Sequence, residues 1–223
     1  MNMTSNMKDP LISSAAFRAA CAAFPPPGLQ DIFKGIPNPK PAAILVPVTE
    51  TPEGLAAIVT RRHADLRLHS DHWVFPGGRV DPEDASSAHA AIREAGEELG
   101  IDISEMELLG QLDSRGPIVT GYIIDVFVAL VSSRVQLKPP ADEVAAVDTM
   151  LLSAMCRPEN SFRRVVTHED DQSPTAVEIP PRWATPALHF VIKPGENLWG
   201  LQADILAELL QHLRGEALAH LAG

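Results

Sequence analysis

The segment from Ser86 to Gly100 constrains this chain more than any other. Ala88, Ile92, Ala95 and Leu99 recur at helical spacing, which predicts an amphipathic helix, and Gly100 stands where a left-handed C′ residue ends one. On that helix Glu94, Glu97 and Glu98 fall at i, i+3 and i+4, so three carboxylates share a face within one turn. Like charges at those spacings repel, and a hard divalent cation taking oxygen ligands would turn the repulsion into binding energy. Mg²⁺ is the natural occupant, because it keeps several waters and bridges to substrate phosphates; Mn²⁺ is the alternative. Arg93 is the one cation among these acids and reaches Glu97 at i+4. An isolated E-x-x-E-E is ordinarily a solvated helix face. Here Gly77 and Gly78 lie just upstream, where a missing Cβ lets backbone approach a ligand, and that context favours a site.

Around this helix the pattern is mostly of strands. Ala42–Thr49 and Leu55–Arg61 are β-type runs joined by Thr51-Pro52-Glu53-Gly54, which predicts a hairpin. Trp73-Val74-Phe75 leads into Pro76 and the glycine pair. Glu107–Leu112, Tyr122–Ser132 and Ala145–Leu152 read as further strands, the second too apolar to be anything but buried, followed by a short helix at Ser153–Cys156. Ser161 to Ile179 reads as a strand, a polar tip at His168–Asp171 and a returning strand. Leu198, Leu201, Ile205, Leu209 and Leu213 trace a final helical stripe behind Asn197 as its cap. At the other end, Asp9 and Pro10 suit the start of a helix whose apolar face is Leu11, Ala15, Ala19 and Ala22. The expected class is α+β, an αβα sandwich around a mixed sheet with an N-terminal helical extension. Residues 1–40 form the helix and proline-rich arm, 41–214 the main domain and 215–223 a tail.

With 29 acidic against 18 basic residues, the net charge of −11 excludes a protein that coats nucleic acid or an anionic membrane. An anionic ligand therefore needs a cation as mediator. Cys21 and Cys156 make neither a disulfide framework nor a zinc site, which suits a reducing cytoplasm. The apolar start is interrupted by Arg18 and closed by Pro25, Pro26 and Pro27, unlike a signal sequence. No stretch approaches the roughly 20 apolar residues of a membrane span. His63, His69 and His72 have no supporting zinc pattern, and Trp199 reads as core.

The run from Gly78 to Ile101 resembles the Nudix box, G-x5-E-x7-R-E-U-x-E-E-x-G-U. Arg93, Glu94, Glu97, Glu98, Gly100 and Ile101 match its second half. In the first half Asp84 stands where Glu is expected, and eight residues rather than seven precede Arg93, so the turn must absorb one extra residue. The resemblance implies a Nudix fold, metal-ligand roles for Glu94, Glu97 and Glu98, an orienting role for Arg93 and a carbonyl contribution from Gly78. It also places a further acid, Glu143, before a late strand as metal ligand or general base; an exposed loop acid is the other reading.

The departure in spacing resembles the coenzyme A diphosphatase branch, which carries an upstream L-L-T-x-R-S-x3-R-x3-G-x3-F-P-G-G motif. Thr60, Arg62, Arg67, Phe75, Gly77 and Gly78 match at that spacing, while His63 and Asp71 replace Ser and Gly. Asn197 to Ala203 is similar to the branch's I-W-G-L-T-A segment, with Gln202 for Thr. Thr60, Arg62, Arg67, Phe75, Gly77 and Gly78 are the implied substrate-binding residues. Strand alternation keeps Arg61 and Arg62 on opposite sides, and either could instead pair with an acid of the neighbouring helix; the motif favours Arg62. The implied reaction is hydrolysis of coenzyme A or acyl-CoA to 3′,5′-ADP and 4′-phosphopantetheine or its acyl derivative. The alternatives are another nucleoside diphosphate such as ADP-ribose or NADH, and a binding module without turnover, which would have no need of clustered carboxylates. The resemblance also implies a homodimer.

Overall fold

The computed structural model describes residues 9–28, 39–63, 72–116, 121–165 and 186–215. The described chain runs α1 (Ser14–Cys21), β1 (Lys40–Thr51), β2 (Gly54–Arg62), β3 (Trp73–Val74), β4 (Gly77–Arg79), α2 (Ser87–Leu99), β5 (Met106–Arg115), β6 (Tyr122–Val131), β7 (Val144–Leu151), α3 (Leu152–Met155), β8 (Ser161–Val165), β9 (Pro186–Lys193), β10 (Glu196–Trp199) and α4 (Leu201–Arg214). β1 and β2 are the expected hairpin, paired from Val48↔Ala57 to Thr51↔Gly54. β1 also pairs with β6 in parallel, Lys40↔Tyr122 through Thr49↔Val131, and this makes the seven-stranded sheet mixed.

Alternation along β1 and β6 sorts the core into two layers. Ala43, Leu45, Phe127, Ala129 and Val131 face Ala90, Ala91, Ala95 and Leu99 of α2. Ile44, Val46, Val48, Val126, Val128 and Leu130 face the other way, onto Ile205, Leu206 and Leu209 of α4 and Phe17 of α1. The sheet thus lies between helices, the αβα arrangement the sequence predicts. α2 starts at its N-cap Ser86, whose hydroxyl accepts the His89 N–H at 3.2 Å, and ends at Gly100 with φ 63°. A Cβ on Gly100 would sit 1.8 Å from the Lys138 carbonyl oxygen, so close approach and left-handed backbone both require glycine there.

Three expectations are corrected. Asp9 heads a separate turn, accepting the Leu11 N–H at 2.9 Å, and Ser13 is the N-cap of α1. The buried face of α1 is Phe17 and Cys21 together with the preceding Leu11, whereas Ala15, Ala19 and Ala22 are exposed. Burying a phenylalanine contributes ~1.5–3 kcal/mol against little for alanine, so Phe17 sets the orientation. Asn197 caps nothing: it lies in β10 with Leu198, the cap of α4 is Gly200, and Leu198, Ile205, Leu209 and Leu213 are buried as the stripe requires. The strand that returns beside β8 is β9, Ser161↔Phe190 through Val165↔Pro186; the polar tip at His168–Asp171 and Ile179 lie outside the described residues. Among the described residues no helix is long and apolar enough to cross a membrane.

Candidate active site

The site forms where the sheet changes partners. β3 pairs with the end of β2, Thr60↔Val74 and Arg61↔Trp73; two residues later β4 pairs with the start of β1, Ile44↔Gly77 through Ala42↔Arg79. Gly77 and Gly78 are thereby pressed into packed surroundings. A Cβ on Gly77 would lie 2.4 Å from the Ala43 carbonyl oxygen, and one on Gly78 would lie 2.4 Å from the Glu94 carboxyl carbon. Gly78 therefore rests directly against a carboxylate of α2. Thr60 and Arg62 point to this same face, and Arg62 Nη1 stands 3.4 Å from Glu98 Oε1. Arg61 turns to the opposite face and pairs with Glu196 of β10 at 3.6 Å, as alternation demands.

These residues surround a cavity of about 290 Å³, walled by Thr60, Arg62, Gly77, Gly78, Glu94 and Glu98 and closed by Glu143 and Val144. Glu97 is not in that wall; its side chain is 59% exposed and receives Arg93 Nη1 at 3.3 Å. Phe75 is core, 2% exposed. Arg67 lies outside the described residues.

Asp84 proves more deeply engaged than its place in the sequence suggests. Arg93 Nε and Nη2 donate to its two oxygens at 3.0 and 2.9 Å, a bidentate pair of the kind that fixes a guanidinium plane. The Asp81 N–H at 2.9 Å and the His89 ring at 2.8 Å complete its shell. Arg93 then spends Nη1 on Glu94 at 3.0 Å, so Asp84 holds Arg93 and Arg93 aims Glu94. The Asp84 N–H reaches the Asp81 carbonyl at 3.0 Å, a turn that precedes the eight residues between Asp84 and Arg93. The Arg93 guanidinium keeps Asp84 well below the usual carboxylate range.

The cavity acids behave in the opposite way. Burial raises Glu94 in spite of Arg93. Burial pushes Glu98 up to about 7; Arg62 and the Gly77 N–H oppose the rise, and the charges of Glu94 and Glu143 add to it. Glu98 is 7% exposed, and its Oε2 is buried without a hydrogen-bond partner. A buried anionic oxygen left unpaired is costly, so this donor set fits a hard cation. Among the described residues no three His, Cys, Asp or Glu side chains converge as a complete protein cage. That suits Mg²⁺, which takes one or two carboxylates and completes its shell with waters and substrate phosphate. Glu94 and Glu98 would hold it.

Comparison with known proteins decides the family. The NUDIX domain family matches residues 39–169. A Cronobacter sakazakii protein named "Uncharacterized Nudix hydrolase NudL" is 34% identical over 178 residues, covering 77% of this chain and 82% of that protein. The chain belongs to the Nudix hydrolase family. A Salmonella newport NudL protein is 33% identical over the same shares. Among solved structures, a MutT/nudix family protein from Enterococcus faecalis overlays with a TM-score of 0.47 at 15% identity, covering 92% of this chain and 72% of its own. The Ap4A hydrolase of C. elegans overlays with a TM-score of 0.43 at 19% identity, covering 52% and 82%. As a Nudix hydrolase the chain is an enzyme acting on nucleoside diphosphate derivatives, a class that generally works with a divalent metal. Within this Nudix hydrolase the matched span 39–169 contains every residue that walls the cavity.

Proposed function

We propose that this Nudix hydrolase splits the diphosphate linkage of coenzyme A or an acyl-CoA with Mg²⁺, giving 3′,5′-ADP and 4′-phosphopantetheine or its acyl derivative. The observation that carries the reading is that Thr60, Arg62, Gly77 and Gly78, the described polar and glycine positions of the upstream motif, share one cavity wall with Glu94 and Glu98. When bound, Mg²⁺ supplies charge neutralisation for the diphosphate and acidifies an attacking water. The chain's own groups do the rest. Asp84 and Arg93 hold Glu94 in place, the glycine pair lets the substrate approach backbone, and Glu143, which lines the same cavity, takes the proton from the attacking water. Water adds to one phosphorus, the anhydride P–O bond breaks, and the other phosphate leaves carrying that oxygen.

ADP-ribose or NADH is the second reading, and one contact favours it. Arg62 already faces Glu98 at 3.4 Å, so a 3′-phosphate must compete for that guanidinium or be received by Arg67. The test is a panel of CoA, dephospho-CoA, ADP-ribose and NADH with Mg²⁺, products read by mass spectrometry. A charge-assisted contact to the 3′-phosphate of about 1.5–3 kcal/mol gives CoA roughly a ten- to hundredfold advantage in kcat/KM over dephospho-CoA. Equal rates on those two, with ADP-ribose or NADH faster, transfer the assignment to the second reading. Full activity in excess EDTA refutes the metal role in either.

A further inference from the structure

The partner switch between β3 and β4 leaves two residues, Phe75 and Pro76, outside both strands. Backbone groups in a packed interior must still be paired. Pro76 has no N–H, and its carbonyl accepts from Leu45 N at 2.9 Å. The Phe75 N–H has no strand to donate to, and its partner comes from 127 residues away: Gln202 Oε1 of α4, at 3.0 Å. One residue further on, the Gly77 N–H serves Glu98 and Gly78 abuts Glu94. α4 packs on the sheet face opposite α2, so Gln202 supports this segment from behind without reaching the cavity.

We infer that Gln202 is a positioning residue of the active site: by accepting the Phe75 N–H it fixes the strand switch whose next two residues set the placement of Glu98 and Glu94. The effect on turnover rests on the hydrolase reading above; the effect on the segment does not. Gln202 occupies the second position of α4 behind a glycine cap that offers no side chain. An acidic residue is well tolerated in a first helical turn, so Gln202→Glu keeps an acceptor at the same reach, whereas Gln202→Leu keeps volume and removes it.

The experiment compares full-length wild type, Q202L and Q202E by hydrogen exchange in metal-free protein and by steady-state kinetics on whichever diphosphate the wild type cleaves. Losing the acceptor of a buried N–H speeds local opening by about tenfold or more. Q202L should therefore exchange the Trp73–Val80 peptide about tenfold faster while the α2 peptide, Ser87–Leu99, keeps its protection. Its kcat should fall about tenfold with KM within twofold, and Q202E should recover both. Wild-type exchange of Trp73–Val80 in Q202L overturns the inference, as does a loss that Q202E fails to recover or one spread equally over α2. Because the exchange measurement uses no substrate, it decides the role of Gln202 even if the coenzyme A assignment fails.

Discussion

Replacing Glu98 by glutamine should change the way stability depends on pH in the metal-free protein, and the size of the change follows from the burial of one side chain. Glu98 is 7% exposed and titrates near 7 against an ordinary 4.5. Between those values the folded chain holds a proton that the unfolded chain has released, so stability falls as pH rises through that window. At ~1.4 kcal/mol per pH unit, the folded state loses about 3 kcal/mol by pH 8, roughly 1 of it already by pH 5. Glutamine cannot ionise. In EDTA the stability of wild type relative to Glu98→Gln should fall by about 2–3 kcal/mol between pH 5 and pH 8. With a urea m-value of about 1–3 kcal/mol/M, the gap between the two midpoints moves by about 1 M or more. Added Mg²⁺ should reverse the trend, since a cation on Glu98 stabilises wild type by mass action and the amide binds it poorly. Parallel pH profiles for the two proteins in EDTA would refute the argument, because they would mean that Glu98 is not desolvated against its neighbours.

Two further outcomes test the neighbouring parts. Gly78→Ala should fold but lose most turnover, because its Cβ would overlap the Glu94 carboxylate at 2.4–2.7 Å and must displace it; wild-type kcat in the alanine variant would contradict the close approach. Ser86→Ala should cost about 1 kcal/mol in urea unfolding through the lost cap of α2, while Ser87→Ala, which gives up its bond to Asp125 at 2.6 Å, leaves that cap intact; an unchanged midpoint for Ser86→Ala counts against the cap.

The elements that sequence reading captures are those whose residues carry their own periodicity. The β1–β2 hairpin, the buried β6, and α2 with Ser86 and Gly100 at its ends all arise from local chemistry. The readings that failed depended on partners far along the chain. The face of α1 is decided by Phe17 meeting the sheet rather than by the alanines at matching spacing. β9 and β10 follow a long stretch without clear alternation, and Asn197 only looks like a cap until Gly200 turns the chain after β10. At the site, the spacing of Arg93, Glu94 and Glu98 was legible. The exposure of Glu97 was not, because the i, i+3 and i+4 spacing puts the three acids on one helix face without saying which of them the neighbouring strands cover. Asp84 departs from the resembled pattern in residue type and spacing, and only the bidentate contact with Arg93 reveals its weight. Gln202 gave no signal beyond standing where the resembled motif has threonine, since its partner is a backbone N–H.

The hairpin register carries a geometric consequence of its own. Continued past Val48↔Ala57, it would set Leu45 opposite Thr60 and Ala43 opposite Arg62. Instead Ala43 lies opposite Gly78 and Thr60 opposite Val74. The sheet therefore contains a dislocation, in the sense that a crystal does: an extra half-row, β3 with β4, is wedged between two strands that begin as neighbours. Ordinary pleated order would have filled this line with paired side chains. The dislocation replaces them with glycine backbone facing acids, so the cavity is the core of a lattice defect, and the Phe75 N–H at its edge is held from outside the row by Gln202.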